Sequence, residues 1–221
     1  MRWARAIILG VALLLTAVPS VPAQTDCVVL EDFATTPDGA FPERWRVRTE
    51  SGRAAYSARS ENGVHYLHAA ARDFGVQAAV ERPWDITRYP VLRWKWRPRV
   101  FPVGANESQS GKNDSALAVY AVFPNNWYSV RSVKYVWSGV LPKGTPVESS
   151  RGLTKGFVLE SGVPADLNAW VEERVDVAQD YKRRFETDEV PKPLGIAVLT
   201  DSDDTRSYAE GDYADFRACR E

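Results

Sequence analysis

Polar and apolar residues alternate strictly through Val91-Leu-Arg-Trp-Lys-Trp-Arg-Pro-Arg99. Leu92, Trp94 and Trp96 face one way, and Arg93, Lys95 and Arg97 face the other. A period of two is that of a β-strand with one buried face; a helix would scatter both sets around its axis. Pro90 and Pro98 bound the run, because proline cannot donate to a sheet ladder and is confined to strand ends, edges and bulges. The two tryptophans have two readings, packing between sheets or forming a platform for a ligand. Burial of aromatics dominates cores and favours the first.

Short strand-like runs separated by turns fill the rest of the chain. Cys27 to Phe33, Trp45 to Thr49, Ala54 to Arg59, Val64 to Ala71 and Gly75 to Glu81 come first, with Glu61-Asn62-Gly63 as a hairpin turn. A polar loop, Gly104 to Asn113, precedes Ser115 to Phe123, which is apolar on both faces and predicts a central strand. Val133 to Leu141, Gly156 to Glu160 and Pro193 to Thr200 also read as strands. In Trp170 to Val177 the outward acids suit a place beside the cations of the Trp94 strand. In Tyr213 to Cys219, alternation puts Ala214, Phe216 and Ala218 opposite Tyr213, Asp215, Arg217 and Cys219. The one helical stretch is Gln179 to Phe185. Many short strands with at most one or two short helices predict an all-β, antiparallel, jelly-roll-type β-sandwich.

The chain opens with Arg2 and Arg5, an apolar segment from Ala6 to Val18, and the small-residue site Val21-Pro22-Ala23. This is the pattern of a secretory signal peptide over residues 1–23, leaving residues 24–221 as a single sandwich domain, periplasmic or secreted. Cys27 is preceded by Gln24-Thr25-Asp26, which does not suit a lipid anchor, and no later segment is long and apolar enough to enter a membrane. Signal removal takes away two arginines and no acid, moving the formal charge from −1 to −3. A mildly acidic chain offers no electrostatic case for nucleic acid. Cys27 and Cys219 are the only cysteines, and export predicts a disulfide joining the two ends of the domain.

Five segments together resemble the bacterial family known as domain of unknown function 3047: Leu92 to Arg97 (LRWKWR), Asn113 to Phe123 (NDSALAVYAVF), Tyr135 to Ser138 (YVWS), Val177 to Phe185 (VAQDYKRRF) and Gly195 to Thr205 (GIAVLTDSDDT). The resemblance implies an exported sandwich similar to galactose-binding-like jelly rolls and no established activity. In the family pattern the segment matching Asn113 to Phe123 opens with two acids and carries an arginine at the place of Ala118. Asn113 and Ala118 therefore leave only Asp114 and Tyr120 of any charged site built there.

Chemistry-bearing motifs are few. The acidic turn Asp201-Ser202-Asp203-Asp204 follows a buried strand, and Asp201 and Asp203 offer the oxygens that a hard cation such as Ca²⁺ takes; the simpler reading is a turn whose side chains bond local amides. His65 and His68 lie three apart on a strand and so on opposite faces, which argues against a shared zinc site or a histidine triad. Many acids qualify for a glycosidase pair, and none stands out. Seven tryptophans after signal removal are the best argument for sugar recognition, with Trp127 and Tyr128 in a turn where burial is not the default. The candidate ligand residues are Asp114, Tyr120, Trp127, Tyr128, Trp137, Asp180 and Asp201. Asp114, Tyr120, Trp137, Asp180 and Asp201 are expected in one concave region because they come from the family motifs. The leading function is non-catalytic binding of a glycan or similar polar ligand, with an enzyme on cell-envelope polysaccharide and a structural module as alternatives.

Overall fold

In the computed structural model, which describes residues 26–221, the alternating run is strand Val91–Val100, and Trp94 and Trp96 are fully buried. The signal-peptide segment lies outside the described residues. In chain order the strands are β1 (Cys27–Glu31), β2 (Trp45–Arg46), β3 (Tyr56–Glu61), β4 (Val64–Arg72), β5 (Ala78–Glu81), β6 (Val91–Val100), β7 (Leu117–Asn126), β8 (Ser129–Ser138), β9 (Pro146–Ser149), β10 (Thr154–Ser161), β11 (Val171–Asp176), β12 (Gly195–Leu199) and β13 (Tyr208–Cys219). They form two sheets. One runs β11-β6-β13-β4-β3, with β1 pairing the far half of β13, and the other runs β2-β5-β12-β7-β8-β10-β9. Most connections carry the chain from one sheet to the other, the jelly-roll habit of an all-β sandwich. Two short helices, α1 (Glu50–Arg53) and α2 (Val177–Phe185), complete it; Asp176 caps α2 by accepting from the Gln179 amide at 2.8 Å. No helix among the described residues is long and apolar enough to cross a membrane.

An aromatic layer joins the sheets. Trp94 and Trp96 meet edge to face at 5.3 Å between centroids, Trp94 packs on Tyr135 of β8 at 5.6 Å, and Trp96 packs on Trp137 at 5.7 Å. The packing reading of the two tryptophans therefore holds. On the opposite face of β6, Arg93 pairs with Glu172 of β11 as the charge pattern predicts. Arg97 departs from a solvated ladder: it is buried between the rings of Tyr66 and Trp170 and bonds Asp212 through Nε at 2.7 Å. Arg99 and His68 share the same carboxylate. Burial pushes the Asp212 carboxyl up, but these three donors outweigh it and hold it below its ordinary value.

Three expectations need correction. The sandwich is not wholly antiparallel, because β10 pairs β8 in parallel; the intervening β9 folds back antiparallel on β10, so β8 and β10 run the same way. Tyr213 shares the core with Phe216 rather than facing away from it. A bulge between Ala214 and Arg217, with Asp215 at φ 53°, inserts one residue and flips the alternation. The strand also passes through Pro98, which lies beyond the end of its pairing with β11 and beside a register slip against β13.

Cys27 and Cys219 are disulfide-bonded across the β1/β13 pair. With a sequence separation of 192, the crosslink contributes up to about 4–5 kcal/mol in the chain-entropy account. Removing one ring of the aromatic layer leaves a cavity between the sheets. Trp94→Ala or Trp96→Ala should lower unfolding free energy by about 3–5 kcal/mol in denaturant titration; a variant that unfolds like the parent would contradict this account of the core.

Candidate functional site

Alternation along the second sheet decides what points away from the core. Leu117, Val119, Ala121 and Phe123 of β7 turn inward, so Ala118 and Tyr120 turn outward; on β8, Val133, Tyr135 and Trp137 turn inward, and Lys134 and Val136 outward. Tyr120 stands directly across from Lys134 on one side and Ala197 of β12 on the other. The outer face is apolar and mostly small here: Ala118, Ala197, Val136, Val158 and Val147 surround Tyr120. A cleft of about 970 Å³ lies over this face, lined by Tyr120, Lys134, Asp201, Asp203, Trp127 and Tyr128 among others.

One end of the cleft is the acidic turn. β7 and β12 are antiparallel neighbours, so the residues just before β7 and just after β12 meet at the same sheet end. Asp201 accepts from the Ser115 amide at 2.7 Å, and its own amide donates to the Ser115 carbonyl at 3.0 Å. Asp114 accepts from the Asp204 and Thr205 amides and from the Thr205 hydroxyl, bracing the turn from the neighbouring strand. Gly75 is held close against it, since a Cβ there would lie 2.8 Å from the Asp201 Cβ and 2.9 Å from Asp203 Oδ1. One oxygen each from Asp114, Asp201 and Asp203 falls within 4.8 Å of the others. Ca²⁺ takes six to eight oxygens, and these three carboxylates, with Asp114 already engaged, offer only part of such a shell.

The floor carries charge that the protein does not itself use. Lys134 is only 4% exposed yet donates no hydrogen bond to any described residue; its ammonium lies 5.8 Å from the centre of the Tyr120 ring. Burial lowers its pKa, while Asp201, Glu107 and Asp114 pull it back up. Burial raises Asp201 to about 7, opposed by Lys134 and the Ser115 amide and assisted by Asp114 and Asp203. Burial, then the charge of Asp201, likewise pushes the Tyr120 hydroxyl up. Perturbed groups gathered in a cleft are the physical mark of a candidate site.

At the other end, the β7–β8 hairpin presents Trp127 and Tyr128, 92% and 72% exposed, in an edge-to-face pair with centroids 4.9 Å apart. The structure thus brings Asp201, Asp203, Tyr120, Trp127 and Tyr128 to one cleft, with Asp114 behind its acidic turn. It does not bring in Trp137 or Asp180, and their expected place in that region is corrected. Trp137 differs in parity from Lys134, so it faces the core against Trp96 and donates to the Gly162 carbonyl. Asp180 lies on α2 and accepts from the hydroxyl of inward-facing Tyr135 at 2.9 Å. Lys134 escaped sequence reasoning; the signal was one cation interrupting the apolar run after Ser132.

Fold and cleft together define a two-sheet β-sandwich with a candidate ligand surface on the outer face of one sheet. The chain belongs to the family described as Protein of unknown function (DUF3047), whose profile matches residues 43–217. Among solved structures it is similar to Trichoderma harzianum Endoglucanase 3 from family GH12, with 11% identity, a TM-score of 0.38, and 90% of this chain and 98% of that one covered. It is also similar to the carbohydrate-binding module TmCBM27, whose structure is described in terms of specific mannan recognition, with 14% identity, a TM-score of 0.36, and 88% and 98% covered. No curated protein matches the sequence.

The raised Asp201 pKa has a consequence for stability. A carboxyl whose folded pKa lies above its unfolded value favours folding at low pH and loses that advantage as pH rises from about 4 to 7. Asp201→Asn, which can still accept from the Ser115 amide, should therefore gain on the parent across that window and hold a constant lead above it, with an upper bound of about 4 kcal/mol. Unfolding titrations at pH 4, 6 and 8 check this; a constant difference at all three would show that Asp201 titrates normally.

Proposed function

We propose that the protein is an exported binding module that takes a glycan or similar polar ligand in the cleft over the second sheet. Residues 1–23 would be removed on export and residues 24–221 would act as one domain, in the periplasm or outside the cell. The disulfide is compatible with that compartment. The observation that carries the reading is the pairing of two ends. An exposed aromatic pair, Trp127 and Tyr128, sits at the rim, while Lys134 on the floor, 4% exposed, keeps its ammonium open to the cleft and donates to no described residue. Aromatic faces stack on the C–H faces of sugar rings, and a few convergent polar groups fix the hydroxyls.

An enzyme on cell-envelope polysaccharide requires two carboxyl groups facing each other across the bond to be cleaved. The carboxylates lining this cleft, Asp201 and Asp203, come from one turn, which favours binding over hydrolysis. A purely structural role gives no reason for leaving Trp127 and Tyr128 in solvent.

A glycan array probed with the purified protein tests the reading. Binding is expected, and the double variant Trp127→Ala/Tyr128→Ala should weaken it about tenfold while melting like the parent, because both side chains are exposed. An array without binding, or a double variant that binds as well as the parent, would overturn it.

A further inference from the structure

Resting on the glycan reading above, we infer that the cleft floor selects a neutral sugar, taking a pair of neighbouring hydroxyls between the Lys134 ammonium and the Asp201 carboxylate. Both groups line the same cleft and both are nearly buried. Lys134 has three donors and uses none on the described residues, whereas Asp201 uses Oδ1 on the Ser115 amide and leaves Oδ2 open. The Tyr120 hydroxyl, across the strand pair from Lys134, is uncommitted as well. Their free atoms keep access to the cleft, so a ligand takes them up in place of water.

The complement must accept from an ammonium and donate to a carboxylate at the same place. A hydroxyl does both with one oxygen, and two adjacent hydroxyls do so for both groups at once. Net charge on the ligand works against it from either side. A uronic acid would satisfy Lys134 but bring another carboxylate beside Asp201 and Asp203, with Asp114 behind them. An amino sugar would suit those acids but set a second ammonium against Lys134. Like charges held together in a desolvated site repel strongly, so the mixed pair discriminates against both. Val130, Leu153 and Leu199 in the cleft lining leave the rest of the ring to contacts that carry no charge preference.

The experiment compares glycan classes on one array: neutral oligosaccharides, uronic-acid oligosaccharides and amino-sugar oligosaccharides. The parent alone should bind neutral glycans most tightly, a result that depends on no variant folding. Lys134→Met and Asp201→Asn should each weaken neutral binding at least tenfold, and the double variant should lose little more than either single, since the two act on the same hydroxyls. Tightest binding to uronic-acid or amino-sugar glycans, or neutral binding untouched by both substitutions, would overturn this inference and leave the glycan reading standing. Binding to no class would overturn both.

Discussion

The contact between Trp94–Trp96 of the first sheet and Tyr135–Trp137 of the second is the constraint from which the rest of the arrangement follows. Filling the intersheet space with four large rings fixes which parity of β8 faces inward, and a β-strand offers only two parities. Once Tyr135 and Trp137 are inside, Lys134 and Val136 have no place but the outer face. Pairing across β7 then sets Tyr120 beside Lys134, and pairing of β7 with β12 sets Asp201 at the end of the same face. The candidate site is thus a consequence of how the core is packed, although Tyr120, Lys134 and Asp201 are not part of that core.

The outer face is unusual in what it buries. Lys134, Tyr120 and Asp201 are covered by their surroundings almost as fully as core residues, yet Lys134 and Tyr120 make no side-chain hydrogen bond. The first sheet handles the same problem differently. Its buried Arg97 is stacked between two rings and paired with Asp212, which His68 and Arg99 also satisfy. One buried charge is closed off by the protein, and the other is left open to a cleft. That contrast places the functional reading on the second sheet.

Much of the sandwich was legible in the sequence because period-two alternation reports burial directly. It identified the Trp94 strand and the strand whose acids lie beside its cations, turn residues identified the hairpin at Asn62-Gly63, and the export pattern pointed to the disulfide. Alternation failed where the backbone departs from it: the bulge at Asp215 puts Tyr213 and Phe216, assigned to opposite faces, on the same one. The candidate site was legible in part. Asp114, Asp201 and Tyr120 could be grouped from their motifs, but motif membership ignores parity, which is why Trp137 was grouped with residues on the other side of its own sheet. Asp180 was misplaced because which strand α2 packs against is a tertiary fact. Lys134 was passed over because Val133 to Leu141 was read only as a strand, and which groups face its lone cation is a tertiary fact.

The most direct test of the account is where a ligand acts on the protein. Backbone and side-chain NMR of the ¹⁵N,¹³C-labelled protein, titrated with a neutral oligosaccharide, should show shifts confined to β7, β8, the Asp201–Asp204 turn and the Trp127–Tyr128 hairpin tip, with the Lys134 ε-CH₂ among the largest. Shifts concentrated on the first sheet, around Arg97 and Asp212, would contradict it.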